Sequence, residues 1–557
     1  MTTGSVHRPS AMVTMGDALD HYARTDPAAT AIAFPTERAT AAEFADLVRR
    51  HARSLHGLGV RHGDRVGTLL PNDLDQLALI FAAVTLGAVA TPVNTRFKSR
   101  ELRQVVTHSG MCVLVTGNGT GDPQPGAPDF AALVRETFPD RSLTPELRTV
   151  VCLDGDAGPD TLDRAAFAAA GAAVGEAGID EAAAAVGLTD TALLVYTSGT
   201  TSMPKGALIS HQAICRMADA IVHDRFSLTP QDSLWTSIPL FHAGAITYAL
   251  TAFRAGCRYV HCGHFDAART PEQLEREQVS VAIPGFETIW LPTLDRPDLP
   301  GRDLSRLRVV VVTGVPERLR QMAARLPHVT QLSTVGMTEA CAFVAVGRTD
   351  DPFESRMTTG GHPMTGMQAR IVDPETGADL PDNTPGELLV KGESLFDGYF
   401  RDPEVTAAVF DDEGWFHTGD VCSRDTDGRL TFLTRLKDML KVGGENVSAA
   451  EVENYLVTHP AVLFAQVVSA PDAYYTEVPA AFVQLVPGTT LDEQQLIDFC
   501  IGELATYRIP RYVRFVDDWP MSGTKIKKVV LRQVIADELA AAGITEAPRI
   551  RSRKDTP

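Results

Sequence analysis

Residues 196–206 read Tyr196-Thr197-Ser198-Gly199-Thr200-Thr201-Ser202-Met203-Pro204-Lys205-Gly206. Hydroxyls, backbone N–H groups beside glycine and one lysine are what a polyphosphate needs: many small donors and a positive charge. A Walker A loop does similar work, but in G-x-x-x-x-G-K-[ST] the lysine follows its glycine, and here Lys205 precedes Gly206. The flanks also differ. The apolar run 192–195 predicts a buried strand, 207–209 predicts a second, and Ser210 suits the N-cap of a helix to about residue 222. The expected unit is a strand–loop–strand phosphate grip with no helix dipole behind it. An ordinary polar turn is the plain alternative for any Ser/Thr/Gly loop.

Other strings carry chemistry of the same kind. The four valines 309–312 predict a buried strand that delivers Thr313-Gly314-Val315-Pro316 at its C-terminal end, where open α/β sheets place ligands. Gly414-Trp415-Phe416-His417-Thr418-Gly419-Asp420 ends in a carboxylate, and one carboxylate can accept from both hydroxyls of a ribose. In isolation, Asp after Gly is a turn residue. Gly443 and Gly444 allow unusual backbone angles and the close passage of a thin chain. His242, in Pro239-Leu240-Phe241-His242-Ala243-Gly244, sits beside an aromatic, where histidine is ordinarily structural. Lys525, Lys527 and Lys528 share a short loop, where lysines are ordinarily solvated. His261-Cys262-Gly263-His264-Phe265-Asp266 has no second ligand cluster near it in sequence and reads as structural rather than metal-binding.

In their order these strings resemble the signatures of the adenylate-forming superfamily: acyl-CoA synthetases, adenylation domains of peptide synthetases, and luciferases. Residues 196–206 resemble [YF]-T-S-G-[ST]-T-G-x-P-K-G, with Ser202 at a family glycine. Residues 313–316 resemble the G-G-A-P or T-G-A-P string along the adenine. Ser333-Thr334-Val335-Gly336-Met337-Thr338-Glu339 resembles Y-G-x-T-E, with Val335 where an aromatic usually stacks. The resemblance implies ATP or AMP contacts from Thr197, Ser198, Gly199, Thr200, Thr201, Lys205, Gly314, Val315, Pro316, Val335, Gly336 and Met337. It implies a ribose held by Asp420 and Arg435, the latter placed just after an expected strand at 429–433. Glu339 is the implied Mg²⁺ ligand, a hard oxygen donor of the kind Mg²⁺ prefers. Thr338 would reach phosphoryl oxygens or the acyl carboxylate, and His242 would wall and orient the site.

The family string around Arg435-Leu436-Lys437-Asp438 implies a hinge at Lys437 between a large and a small domain. Lys441, Gly443 and Gly444 would line a pantetheine tunnel. P-x-T-x-x-G-K-I-x-[KR] points to Lys525 as the catalytic lysine. Here the loop is one residue shorter and lacks the preceding glycine, but Ile526, Lys528, Leu531 and Arg532 stay in register. The resemblance therefore implies a carboxylate–CoA ligase: acid and MgATP give acyl-AMP and pyrophosphate, and CoA then displaces AMP. ATP, Mg²⁺ and CoA are the implied co-substrates and metal. Two rivals are an enzyme that passes the acyl group to a carrier-protein thiol or an amine, and a non-catalytic nucleotide-binding relative. The acyl pocket is expected at Phe241, Ala243, Gly244, Phe286 and Trp290, small or apolar positions that suit a hydrophobic acid.

The elements that must hold these residues are legible more coarsely. The chain has 557 residues, too many for one typical core. It is 44% apolar and 22% charged, as globular chains are. A net charge of −19 argues against nucleic acid. Eight scattered cysteines without C-x-x-C read as reduced thiols, and no signal pattern opens the sequence, so a cytoplasmic protein is expected. The longest apolar run, 77–90, is too short to span a bilayer and reads as a buried helix. Residues 11–119 alternate helix and strand patterns, including a helix at 40–58. Residues 360–436 are turn-rich and β-patterned. The fold expected is α/β: a large N-terminal domain of α/β sheet subdomains with a small β-barrel-like subdomain, 1–436, then a small α+β lid domain, 437–557. A homodimer is a possible assembly.

Overall fold

An eight-stranded sheet forms around the hairpin that carries residues 196–206. In the computed structural model, which describes residues 13–118, 128–140, 144–197, 204–443, 445–522 and 525–550, strands Thr191–Thr197 and Lys205–Ser210 pair antiparallel, with Thr197 opposite Lys205. Val89–Pro92, Arg65–Leu69, Val113–Thr116, Thr149–Cys152 and Thr161–Asp163 continue the sheet in parallel on one side. On the other, the two-residue strand Gly398–Tyr399 adds antiparallel to Lys205–Ser210. A second sheet runs Thr330–Leu332, Val309–Thr313, Val281–Phe286, Ser233–Thr236, Arg258–His261, Thr30–Ala33 and Arg38–Thr40, parallel except at the last pair.

Helices fill the space between and outside these sheets. Leu74–Thr85 has no polar stripe, and every residue from Gln76 onward is buried. Such a helix must lie between layers. It shares one core with Ala243–Ala255 and with Val66 and Leu193 of the first sheet and Val281 and Val311 of the second. The apolar run 77–90 is thus not one helix. It breaks at Gly87, where φ is +69°, and enters the strand Val89–Pro92. Thr40 caps Ala41–Gly57 in a reciprocal box with Glu43, and Ser210 caps His211–Ala220 through Ala213 N–H. The outer face of the second sheet is covered by Glu287–Leu294 and Pro316–Arg325.

Strands Met367–Val372, Gly386–Gly392, Phe416–Arg424 and Leu430–Arg435 form an antiparallel sheet. It joins the three-stranded sheet Thr334–Gly336, Phe343–Val346 and His362–Pro363, because Gly360 N–H donates to Leu430 O and Leu430 N–H to Gly361 O. Gly361 has φ +80°, and a side chain there would meet Gly347 N at 2.0 Å, so this junction needs glycine. From residue 440 on, the chain has cores of its own. Strands Glu445–Ser448, Met439–Val442, Thr476–Leu485, Val462–Asp472 and Tyr512–Phe515 form one sheet. Helices Ala449–Leu456, Glu493–Cys500 and Lys528–Ala541 pack on it. Among the described residues no helix is long and apolar enough to cross a membrane. All eight cysteines are buried free thiols.

Candidate active site

Glu339 is held through its backbone and its side chain. It lies in the 3₁₀ turn Thr338–Ala340, closed by Met337 N–H to Ala342 O and by Cys341 at φ +61°. Thr247 Oγ1 donates to Cys341 O at 2.8 Å, and Phe396 N–H donates to Glu339 O at 2.8 Å. On the side chain, Tyr399 OH donates to Glu339 Oε1 at 2.9 Å. The same tyrosine ring carries the Lys205 ammonium 5.1 Å from its centroid. Burial pushes the Tyr399 phenol well above its ordinary range, the Glu339 charge adds to this, and Arg435 acts in the opposite sense. Tyr399 therefore remains a neutral donor, and Arg435 lies within its electrostatic reach. Arg435 Nε is 3.1 Å from the buried Asp420 Oδ1, and the two residues are opposite each other in register. Arg435 is the last residue of its strand rather than beyond it, because pairing with Phe416–Arg424 extends the strand past residue 433.

A cleft of about 1220 Å³ lies between the large domain and the C-terminal one. Gly314, Val315, Pro316 and Val335 line it from the large domain, and Lys441, Ser448 and Asn454 from the C-terminal one. Val421 and Thr434 also line it. They form the pair next to Asp420–Arg435, so by strand alternation Asp420 and Arg435 turn to the opposite face. Cations, a carboxylate and an apolar strand end together suit a nucleoside triphosphate with its metal.

The AMP-binding enzyme family matches residues 19–400, and the AMP-binding enzyme C-terminal domain matches residues 451–525. The chain belongs to the AMP-binding enzyme family. Its relatives match nearly end to end. A 3-[(3aS,4S,7aS)-7a-methyl-1,5-dioxo-octahydro-1H-inden-4-yl]propanoyl:CoA ligase of Rhodococcus jostii (strain RHA1) is 35% identical over 530 residues, 93% of this chain and 98% of that protein. An indoleacetate–CoA ligase of Aromatoleum aromaticum (strain DSM 19018 / LMG 30748 / EbN1) is 33% identical over 534 residues, 93% of this chain and 97% of that one. The crystal structure of the anthranilate CoA ligase AuaEII in complex with anthranoyl-AMP superposes with a TM-score of 0.82 at 26% identity, covering 96% of this chain and 99% of that one. The chain is an adenylate-forming ligase with the two-part fold of that superfamily.

In this AMP-binding enzyme the remaining expected residues are placed as follows. Thr197 and Lys205 close the neck of the phosphate hairpin, Thr197 Oγ1 donating to Lys205 O at 3.4 Å. Ser198, Gly199, Thr200 and Thr201 lie outside the described residues, as do Gly444 and the side chains of Lys437 and Lys525. Phe241, half-buried His242, Ala243 and half-buried Gly244 form the entry to helix Ala243–Ala255, with the Phe241 and His242 rings 4.5 Å apart. Asn72 sets this entry: its Oδ1 accepts from Leu240 N–H at 2.8 Å and its Nδ2 donates to Gly263 O at 3.1 Å. Phe286 ends its strand half-buried after Gly285, which has φ +81°. Trp290 does not belong with these. It is buried on the outer face of the second sheet, its ring 6.4 Å from that of Trp235, and the helix periodicity carries it into the core.

Gly443 has φ +60°, and a side chain there would meet Tyr475 Cδ1 at 2.9 Å. The local fold alone thus calls for glycine at that position. His261 is structural: Gly263 N–H donates to its Nδ1 at 2.9 Å, and its Nε2–H donates to Ile238 O at 2.9 Å. Burial pushes its pKa down to about 4, so it is neutral. Lys528 is not a solvated loop lysine. Its Nζ is 2.5 Å from Glu453 Oε1, and Glu453 also accepts from Val467 N–H.

A further group of residues went unread in the sequence. Glu287 is half-buried, and burial raises its carboxyl above the ordinary range. Its Oε2 accepts from Val315 N–H at 3.2 Å, and its Oε1 lies 3.4 Å from Arg318 Nη1. The Arg318 guanidinium stands 4.2 Å over the ring of Phe464, in the C-terminal domain. No local string marks this chain of contacts, because its members come from three separate elements.

Proposed function

We propose that this ligase activates a hydrophobic, ring-bearing carboxylic acid as its acyl-AMP and transfers the acyl group to CoA. The observation that carries the reading is the Lys205–Tyr399–Glu339 group with Arg435, paired to Asp420, in its electrostatic reach. The acid arrives ionised at neutral pH and needs no base. Its carboxylate attacks the α-phosphate, and pyrophosphate leaves. The barrier is the approach of an anion to a polyanion, so positioned positive charge and donors lower it. Lys205 and the hydroxyls of residues 197–201 hold the β- and γ-phosphates, Asp420 and Arg435 the ribose, and Lys525 the reacting carboxylate and α-phosphate. Glu339 suits a Mg²⁺ ion, which would supply positive charge to the phosphates when bound. His242 and Phe241 wall the acyl site.

The C-terminal domain, from residue 437, then turns about Lys437. Lys525 leaves, and the CoA thiol enters past Lys441 and the 443–444 turn to displace AMP. Exclusion of water matters because acyl-AMP hydrolyses. The ring-bearing acid is supported by the relatives, whose names carry indane-dione propanoate, indoleacetate and anthranilate. A panel of fatty, aromatic and polycyclic acids, assayed for pyrophosphate release and thioester formation with and without CoA, tests the reading. A ring-bearing acid is expected to give a CoA thioester at the highest kcat/KM. Release of pyrophosphate with an amide or free acyl-AMP as the sole product, at saturating CoA, would refute the CoA acceptor.

A further inference from the structure

Tyr399 touches two groups that the chemistry needs apart and at fixed spacing. Its hydroxyl donates to Glu339 Oε1 at 2.9 Å, and its ring face carries the Lys205 Nζ at 5.1 Å from the centroid. We propose that Tyr399 is a positioning residue that holds the metal-binding carboxylate and the phosphate-binding cation at opposite parts of one rigid ring. The proposal rests on the reading of Glu339 and Lys205 given above.

The ring is itself rigidly placed. Gly398–Tyr399 is a strand on the edge of the sheet, opposite Leu208 and Ala207 of the strand that begins at Lys205. Phe400 N–H donates to Gly206 O at 2.8 Å, and Asp397 N–H to Leu208 O at 2.8 Å. Tyr399 N–H donates to Thr406 Oγ1 at 2.8 Å. Gly398 adopts φ +130°, and a side chain there would meet Thr406 Cγ2 at 2.7 Å, so glycine alone lets the strand sit this close. The Phe396 ring packs on Tyr399 at 4.9 Å, while Phe396 N–H holds the backbone of Glu339. Residues 396–400 thus clamp the exit of the phosphate hairpin and the Glu339 turn together.

The consequence for chemistry is specific. A donor on Oε1 takes up one lone pair of that oxygen and restrains the orientation of the carboxylate toward a metal. A π-face beneath Lys205 attracts its ammonium without neutralising it. A carboxylate would hold the lysine more tightly but would cancel the charge that a phosphate must meet. The phenol serves both because its hydroxyl and its ring face are separate parts of one side chain.

Two substitutions separate the two contacts. Tyr399→Phe keeps the ring and removes the donor; Tyr399→Leu removes both. The readout is calorimetric binding of a non-hydrolysable ATP analogue to the full chain, in EDTA and across a Mg²⁺ titration, with melting temperature as a fold control. Tyr399→Phe is expected to bind the metal-free analogue as the wild type does, but to need about tenfold more Mg²⁺ for half-maximal enhancement, the effect of losing one hydrogen bond to a charged group. Tyr399→Leu is expected to show that shift and, in addition, roughly threefold weaker binding in EDTA. A merely structural tyrosine would lower the melting temperature and leave the Mg²⁺ titration of the folded fraction unchanged, which overturns the proposal. Glu339→Gln distinguishes the two levels. If it abolishes the Mg²⁺ enhancement while Tyr399→Phe leaves it intact, only the role of Tyr399 falls. If Glu339→Gln also leaves it intact, the metal reading of Glu339 falls and the proposal with it.

Discussion

Replacing Phe464 by alanine should slow thioester formation and spare adenylation. Phe464 belongs to the C-terminal domain, and its ring meets the guanidinium of Arg318 at 4.2 Å. The Arg318 side chain is only 7% exposed, and the contact is therefore a desolvated one. A cation–π contact of that kind contributes about 2 kcal/mol. Across an equilibrium between two domain orientations, about 2 kcal/mol is a factor of roughly 30. In the orientation seen here, Lys441 faces the cleft that Gly314, Val315 and Pro316 also line, which is where CoA is proposed to enter. On the reading proposed above this is the thioester-forming arrangement, and Phe464 favours it. If that arrangement is favoured by about ten to one, Phe464→Ala would reverse it to about one to three and lower its occupancy roughly fourfold. Single-turnover mixing of enzyme-bound acyl-AMP with CoA reads the second step; pyrophosphate release without CoA reads the first. The expected result is a slower second step with an unchanged or faster first. Equal slowing of both steps in a protein of unchanged melting temperature, or slowing of the first alone, would refute the reasoning.

Lys525→Ala should cut pyrophosphate release by on the order of 100- to 1,000-fold, the usual effect of removing one charge-stabilising donor, while thioester formation from supplied acyl-AMP persists. Lys528→Ala should instead lower the melting temperature of the C-terminal domain with little effect on either step, because it leaves the Glu453 carboxylate without its cation; a rate loss matching that of Lys525→Ala would show that the register across the short loop is wrong. His261 makes the large domain acid-sensitive. Its pKa falls from 6.5 to about 4 on folding, so its contribution is complete above 6.5, declines as pH drops through that window and is lost below it, a change of about 3 kcal/mol. His261→Gln should flatten the decline in melting temperature between pH 7 and 4, and an unchanged profile would assign the acid sensitivity to other groups.

Local strings were enough to place the two strands flanking residues 198–204 and the strand ending at Thr313, while Glu339 and the pair Asp420–Arg435 were legible only through the family resemblance. Those strands are built from hydrophobic periodicity, caps and turn residues that act within a few positions, so the order of residues carries the information. The sequence also determined the domain order, since apolar runs of sheet length alternate with helical ones until the small C-terminal unit begins. Tertiary structure decided what happens where distant segments meet. Tyr399 lies in a stretch that reads only as turn-rich and β-patterned, yet an edge pairing sets its ring against both Glu339 and Lys205. Trp290 reads as pocket lining, yet the turn of its helix points it at Trp235. Gly443 reads as room for a ligand, and the fold adds a positive φ and the nearby Tyr475 ring as a second reason for glycine there. Lys528 reads as solvated, yet a strand and a helix bring Glu453 to it. In each case the side chain's own neighbours permit several environments, and the choice among them is made by strand register and helix phase, which depend on the packing of the whole core.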